Sequence, residues 1–285
     1  MKIGSVFKHS KIVRKSLINW VVYVNWLRRF QAGNKIPSRK VINASFRDGT
    51  VIQDVDPNTL WCLCNYFYYS NVMKTYSVND LITIYKVSKE VVDKLKTKFS
   101  YYQLQKGEAG GNVGPKEAIL FLLIRKFKPQ IIVETGVAQG ISSEFILSAL
   151  QKNGSGKLIS IDLPNRRVEG YQYRDGTLDG VHTPADKLPG WLVSEGLRNN
   201  WDLRIGTSSS ILPLIEEKID LFFHDSEHSY ENMLFELDWG YNHLNKGGII
   251  GADDYDWNDA FNDFLKSHSD LVPITQGLTG FVMKN

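Results

Sequence analysis

From Ile131 onward, short β-branched apolar runs alternate with longer amphipathic stretches. IIVET, KLISID, WDLRIG, IDLFFHD and IIGADD have the length and composition of buried strands. SSEFILSALQKNG and Tyr230–Leu244 carry apolar residues at helical spacing. Ser142 or Ser143 is the expected N-cap of the first of these helices and Gly154 its stop, while Lys246-Gly247-Gly248 ends the second. Alternating strands and helices imply a mostly parallel sheet covered on both faces, because parallel neighbours need a crossover that packs back onto the sheet. The tail, VPITQGLTGFVMK, holds two strand-like runs around glycines, expected as antiparallel edge strands. Ahead of the first strand, GEAGGNVGPKEAILFLLIRKFKP predicts a glycine-rich loop, Gly107–Gly114, then a helix. Pro115 sits in its first turn, and Arg125, Lys126, Lys128 and Pro129 mark its end. The fold class is α/β, doubly wound, over residues 101–285.

The first hundred residues break this rhythm and are expected as a small α+β extension, residues 1–100. RKVINASFRDGTVIQDV sets two β-rich runs around Asp48-Gly49, a hairpin signal. TLWCLCNYFYYSNVM and SKEVVDKLKTKF read as helical, with Tyr66 to Tyr69 as core or interface aromatics, and no repeat or low-complexity tract is present. Charge changes the picture here. Met1–Arg47 contains 11 Lys/Arg and no Asp/Glu, a charge of +11, against 23 basic and 31 acidic residues in the remaining 238, a charge of −8. Inside this basic arm Ser16–Leu27 is apolar and aromatic but too short for the roughly 20 residues of a spanning helix, and no small-residue cleavage site follows it. Trp20, Tyr23 and Trp26 share one helical face. That face suits either a peripheral contact with lipid headgroups or docking on the catalytic domain or on a second copy in a homo-oligomer. Cys62 and Cys64 form neither a metal set nor a disulfide framework, which fits a reducing cytoplasm.

The first strand-to-helix turn of a doubly wound sheet is where a nucleotide-like ligand sits. Here it runs from Glu134 to Ser143. Gly136 permits a tight turn and Gly140 a close packing of the helix. A dinucleotide fingerprint requires glycine where this chain has Ala138 and Ile141, and no triphosphate loop is present. Glu134 would sit badly beside phosphates and well beside an ammonium group.

The pattern E-x-G-x-x-x-G over Glu134–Gly140 resembles the first motif of class I S-adenosylmethionine-dependent methyltransferases. The resemblance implies a seven-stranded Rossmann-like sheet and a loop that holds the methionine part of S-adenosylmethionine. It also implies an acidic residue after the second strand for the ribose hydroxyls, a place that Asp162 in LISIDLP occupies. LRIGTSSSILP resembles the segment lining the adenine, which puts Gly206, Thr207 and Ser208 near the base. The cofactor-binding set implied is Glu134, Gly136, Gly140, Ser142, Asp162, Thr207, Ser208 and Asp225.

IDLFFHDSEHSYENMLFELDWGYNHLNKGGIIGADDYDWNDAF is similar to the metal-assisted O-methyltransferases of the catechol, sugar and macrolide group, most closely the last two. That resemblance implies a magnesium site at Asp225, Asp253 and Asp254. Three carboxylates converging at neighbouring strand ends would repel unless a hard cation sat among them. Transfer to an alcohol oxygen requires a base, and relatives place one three positions after the first metal-binding Asp, which is His228 here; Glu227 is its rival. The alternative reading of HDSEHSY and of Asp253-Asp254 is two capped helix starts.

Leu163–Trp191 interrupts the strand–helix rhythm. Its length suits a binding loop, in which Arg166, Arg167, Tyr171, Tyr173, Arg174 and His182 could meet a polyhydroxylated acceptor. The basic arm and R-D-G-T hairpin look like the front of methyltransferases of glycan assembly. The expectation is therefore a Mg²⁺-assisted O-methyltransferase of a small or lipid-linked sugar, cytoplasmic or peripheral at the cytosolic membrane face. A metal-independent methyltransferase and a non-catalytic cofactor-binding scaffold are the rivals. Nucleic acid is not an expected partner, because no N/D-P-P-Y/F-like motif occurs and the catalytic unit is acidic.

Overall fold

The computed structural model describes residues 78–98, 115–164, 183, 187–274 and 280–285. The arm, the hairpin, the Cys62/Cys64 segment, the Gly107–Gly114 loop and the six named residues of the Leu163–Trp191 segment lie outside the described residues. No described helix is long and apolar enough to cross a membrane.

The described chain runs α1 (Val78–Lys98), α2 (Pro115–Phe127), β1 (Ile131–Thr135), α3 (Ile141–Asn153), β2 (Lys157–Asp162), β3 (Trp201–Ile205), the single turn α4 (Ser208–Ile211), β4 (Ile219–His224), α5 (Tyr230–His243), β5 (Leu244–Ala252), α6 (Ala260–Ser267), β6 (Leu271–Pro273) and β7 (Gly280–Lys284). Seven strands form one sheet in the order β3-β2-β1-β4-β5-β7-β6. The first five are parallel; β7 pairs antiparallel with β5, and β6 with β7. The sequence expectation that both tail strands are edge strands is corrected in one respect: β7 lies inside the sheet and, of the two, β6 alone is an edge. The GFVMK run is long and apolar enough to be covered on both sides, whereas LVP is short and largely exposed.

The two-residue period of the strands divides the apolar residues between the faces. Ile132, Leu158, Leu221, Phe223, Ile249 and Phe281 join a core with α1, α2 and α3. Their neighbours Val133, Ile159, Phe222, Ile250 and Val282 join a second core with α5 and α6. Strands buried on both faces read as continuous apolar runs, which is why IIVET and IDLFFH lack alternation. From α1, Ile84, Val87, Val91 and Leu95 are buried in the first of these cores. This helix, expected within the 1–100 extension, is thus packed into the core of the catalytic sheet.

Strand order reverses between β1 and β4, so their outgoing loops part and leave a crevice at the carboxyl edge. Gly136 turns there with φ of +82°, and a Cβ would overlap the carbonyl of Asp225. The close approach that requires glycine is thus to the chain leaving β4, in addition to any ligand. Gly136→Ala is expected to cost about 3 kcal/mol or more, from left-handed strain plus overlap with an immobile backbone. Urea denaturation of both proteins measures it.

Candidate active site

Four of the five parallel strands, β1, β3, β4 and β5, pass one backbone hydrogen bond beyond their ends to the strand beside them. Gly206 N–H donates to Asp162 O, Gly136 N–H to Ile161 O, Asp225 N–H to Thr135 O and Asp253 N–H to His224 O, each at 2.9 Å. Asp162, Gly136, Asp225 and Asp253 are thereby fixed in a row along the carboxyl edge.

Asp162, half-buried, holds the β1–α3 loop. Its Oδ2 accepts the N–H of Val137 at 3.1 Å and of Ala138 at 2.6 Å, and its Oδ1 accepts that of Leu163 at 2.7 Å. A carboxylate offers about four acceptor positions, so one remains for a hydroxyl. Burial raises its pKa, and these three donors oppose the rise. Ala138 adopts φ of +49°, the conformation for which a G-x-G loop would supply glycine. Its carbonyl is held by Gly190 N–H at 2.8 Å.

Glu134 is fully buried beneath the loop, where Ser142, Ser143 and Ser160 donate hydroxyls at 2.5, 2.6 and 2.8 Å. Burial pushes its pKa up, against those donors. Two expectations change. The carboxylate faces hydroxyls rather than an open ammonium site, and Ser142 and Ser143 serve it instead of capping α3. The N-cap is Gly140, with φ of +89° and no side-chain bond. A Cβ on Gly140 would strike Gly190, so its closeness is to the 190–193 segment rather than to the strand. Thr207 caps the turn after β3 by accepting from Ser210 N–H at 3.2 Å, and Ser208 donates to Asn232 at 3.3 Å.

Beyond β4 lies the acidic cluster, and it holds a residue not anticipated from the sequence. Lys116, in the first turn of α2, places its ammonium 2.8 Å from Asp225 Oδ2 and 2.5 Å from Asp253 Oδ2. Burial pulls the Lys116 pKa down, but Asp225 and Asp253 outweigh it and raise it well above the usual value. Asp225 is raised by burial and by the charge of Asp253. Asp253 is lowered because the Lys116 contacts overcome its burial. Asp254 takes a left-handed turn, φ +43°, and is 52% exposed; its Oδ2 lies 4.0 Å from His228 Nε2. The arrangement therefore does not match a three-carboxylate magnesium cage. Two carboxylates converge, an ammonium lies between them, and the third points elsewhere. Among the described residues no group of three or more His, Cys, Asp or Glu is placed to hold a metal ion. The signal for Lys116 was available: a lysine in a first helical turn opposes the macrodipole unless stronger negative charge faces it.

His228 lies beside this cluster. Its ring packs edge-on to His224 at 5.2 Å and 6.3 Å from Trp257, and its buried Nε2 has no hydrogen-bond partner. Burial, then the charge of His224, lowers its pKa from 6.5 to about 4, so the ring is a neutral acceptor at pH 7. Glu227 is half-buried, and its carbonyl accepts from Asn232 at 2.9 Å. Beneath His228, Glu236 is fully buried and accepts from Thr135 at 2.5 Å, Ser226 at 2.7 Å and Asn232 at 3.1 Å, and pairs with His224 Nδ1 at 2.6 Å. Burial pushes its pKa up, but His224 and the hydroxyls of Ser208 and Thr135 outweigh that and lower it.

Residues 133–255 match a protein-family model described as a methyltransferase domain. That stretch of the chain is a methyltransferase domain. No curated protein matches the sequence. Among solved structures this methyltransferase is similar to the O-methyltransferase NovP, at TM-score 0.50 and 16% identity over 72% of this chain and 99% of that one. It is also similar to the O-methyltransferase of Bacillus cereus in complex with SAH, at 0.47 and 16% over 78% and 96%. A third similar structure is TomG of Streptomyces achromogenes, an O-methyltransferase involved in tomaymycin synthesis, at 0.45 and 18% over 80% and 97%.

The donor set fits the methyltransferase cofactor: a carboxylate with a spare acceptor position after β2, hydroxyls after β3 and a left-handed loop after β1. Asp162→Ala is expected to weaken S-adenosylhomocysteine binding at least tenfold, about 1.4 kcal/mol, by calorimetry; unchanged affinity would remove Asp162 from the cofactor site. A second expectation concerns acid. The folded His228 pKa lies below its unfolded value, so its contribution is complete above pH 6.5 and is lost as pH falls toward 4. Relative to His228→Gln, the wild type is expected to lose about 2 kcal/mol between pH 7 and pH 5, read from urea midpoints at each pH.

Proposed function

We propose that this methyltransferase transfers its methyl group to a hydroxyl oxygen of a small or lipid-linked sugar, with His228 as the proton acceptor. The observation that carries the acceptor class is Trp257. It is 71% exposed, is held by a backbone bond from its N–H to Asp254 O at 2.9 Å, and lies beside His228. A free indole face at the rim offers an apolar platform to the C–H face of a sugar ring, while Asp254 at the same rim accepts hydroxyl hydrogens. The basic arm supports delivery to an anionic membrane surface, where lipid-linked sugars reside.

The cofactor supplies an electrophilic methyl group on a sulfonium. His228 Nε2, buried and unpartnered, takes the acceptor's hydroxyl proton as the oxygen forms its bond to that methyl carbon; the carbon–sulfur bond breaks and sulfur keeps the electron pair. A base held near pKa 4 is weak, so the acceptor oxygen needs a positive charge close by, and alignment of oxygen, carbon and sulfur supplies much of the rate.

The test is mass spectrometry after incubation with S-adenosylmethionine and separate pools of methyl glycosides, catechol and oligonucleotides. Methyl addition to a glycoside is expected. With that glycoside Trp257→Ala should raise KM about tenfold with little change in kcat, and His228→Ala should lower kcat about 10²- to 10⁴-fold. Transfer only to catechol or nucleic acid would overturn the sugar acceptor, and no transfer in any pool would favour the non-catalytic scaffold.

A further inference from the structure

We infer that the Lys116 ammonium is the resident cation of the acceptor site, occupying between Asp225 and Asp253 the position that a divalent ion would otherwise take. The inference rests on the methyltransferase reading for its consequence but on contacts alone for its geometry.

The two carboxylates come from the ends of adjacent strands, which the sheet holds together whatever their charge. Side chains pinned this way need a cation, and the choice lies between an ion from solution and one attached to the chain. Lys116 makes 2.8 and 2.5 Å contacts, and all three side chains are about four-fifths buried, at 22%, 18% and 17% exposure. An ammonium donates three hydrogens in a compact, rotatable head, and two are used on Asp225 and Asp253. The third remains for an acceptor oxygen beside His228, and a positive charge there favours the oxyanion that a weak base must help to form. A tethered cation at this position also excludes a dication, because both would compete for the same oxygens. Asp254, the remaining ligand of the implied metal set, is turned toward His228 and so leaves the two carboxylates to the lysine.

The test is Mn²⁺ binding, followed by calorimetry and water-proton relaxation, on wild type and Lys116→Met, each with and without saturating S-adenosylhomocysteine. Wild type is expected to show no Mn²⁺ binding below about 1 mM. Lys116→Met is expected to bind at least tenfold more tightly, through the vacated carboxylates, and to gain thermal stability on Mg²⁺ addition that wild type does not gain. Tight Mn²⁺ binding by wild type, or equal affinity in the two proteins, would overturn the inference. Should Lys116→Met not fold, the wild-type titration decides alone, and Lys116→Arg, which keeps the charge, should match wild type in binding no Mn²⁺. None of these readouts uses a methyl acceptor, so their failure is separable from failure of the sugar reading. Where a glycoside acceptor is in hand, wild-type transfer should continue in EDTA; its loss on chelation would likewise overturn the inference.

Discussion

The active site depends on a ladder that continues one hydrogen bond past the strands. In a parallel sheet each residue's height is set by register, and the extra bonds from Gly206, Gly136, Asp225 and Asp253 extend that register into the loops. Side chains that would wander on ordinary loops are therefore held at the precision of the sheet. Because β1 and β4 are neighbours and the strand order reverses between them, the row falls into two halves. Asp162 and the glycine-bearing loop lie on one side, and Asp225, Asp253 and Lys116 on the other. Gly136 joins the halves, since its backbone lies against the Asp225 carbonyl. The β1–α3 loop and the Asp225–Asp253–Lys116 cluster thus share one contact, and displacement of either moves the other.

Two buried carboxylates stiffen this edge from below. Glu236 reaches from α5 to donors on β1, on β4 and in the loop after β4, so that one anion ties three elements at the foot of His228. Glu134 does the same for β1, β2 and α3 through three serines. A buried anion left unpaired is costly, so each fixes its donors in turn and specifies a single arrangement of the strand ends. The polar residues at the heart of the sheet are therefore its alignment pins. The residues to which the proposed chemistry is assigned, Asp162, His228 and Lys116, lie beyond them at the carboxyl edge.

Much of this was legible because it is local. The strand–helix alternation, the C-terminal stop at Gly154, and Asp162, Asp225 and Asp253 as strand-end carboxylates all follow from period and position. The failures share one cause, which is partners far away in sequence. Lys116 meets Asp225 across 109 residues, and Glu236 meets Thr135 across 101. Ser142 and Ser143 obey the local capping rule on paper, but a buried Glu134 eight or nine residues away competes for their hydroxyls and prevails. β7 was recognised as a strand, yet its place between β5 and β6 is a property of pairing that no local pattern carries. A charge on the apolar stripe of α5, as at Glu236, and a lysine in the first turn of α2 were the two anomalies that pointed beyond local structure.

A tethered cation also changes what the fold must accomplish. A metal ion would neutralise the cluster only in proportion to its concentration; Lys116 arrives whenever α2 docks. Ala118 through Ile124 are buried along α2, packed against α3 and the sheet. The helix therefore cannot leave without exposing seven consecutive core residues as well as two carboxylates. Placing a lysine at the positive end of a helix costs about 0.3–1 kcal/mol. Two ion contacts, mostly shielded from water, outweigh that, and the surplus draws the N-terminal turn of α2 against the strand ends. The first turn of α2 is consequently held at the crevice. Packing of the first core and closure of the Asp225–Asp253–Lys116 cluster become one event, with the charge of the cluster determined by the packing of a helix.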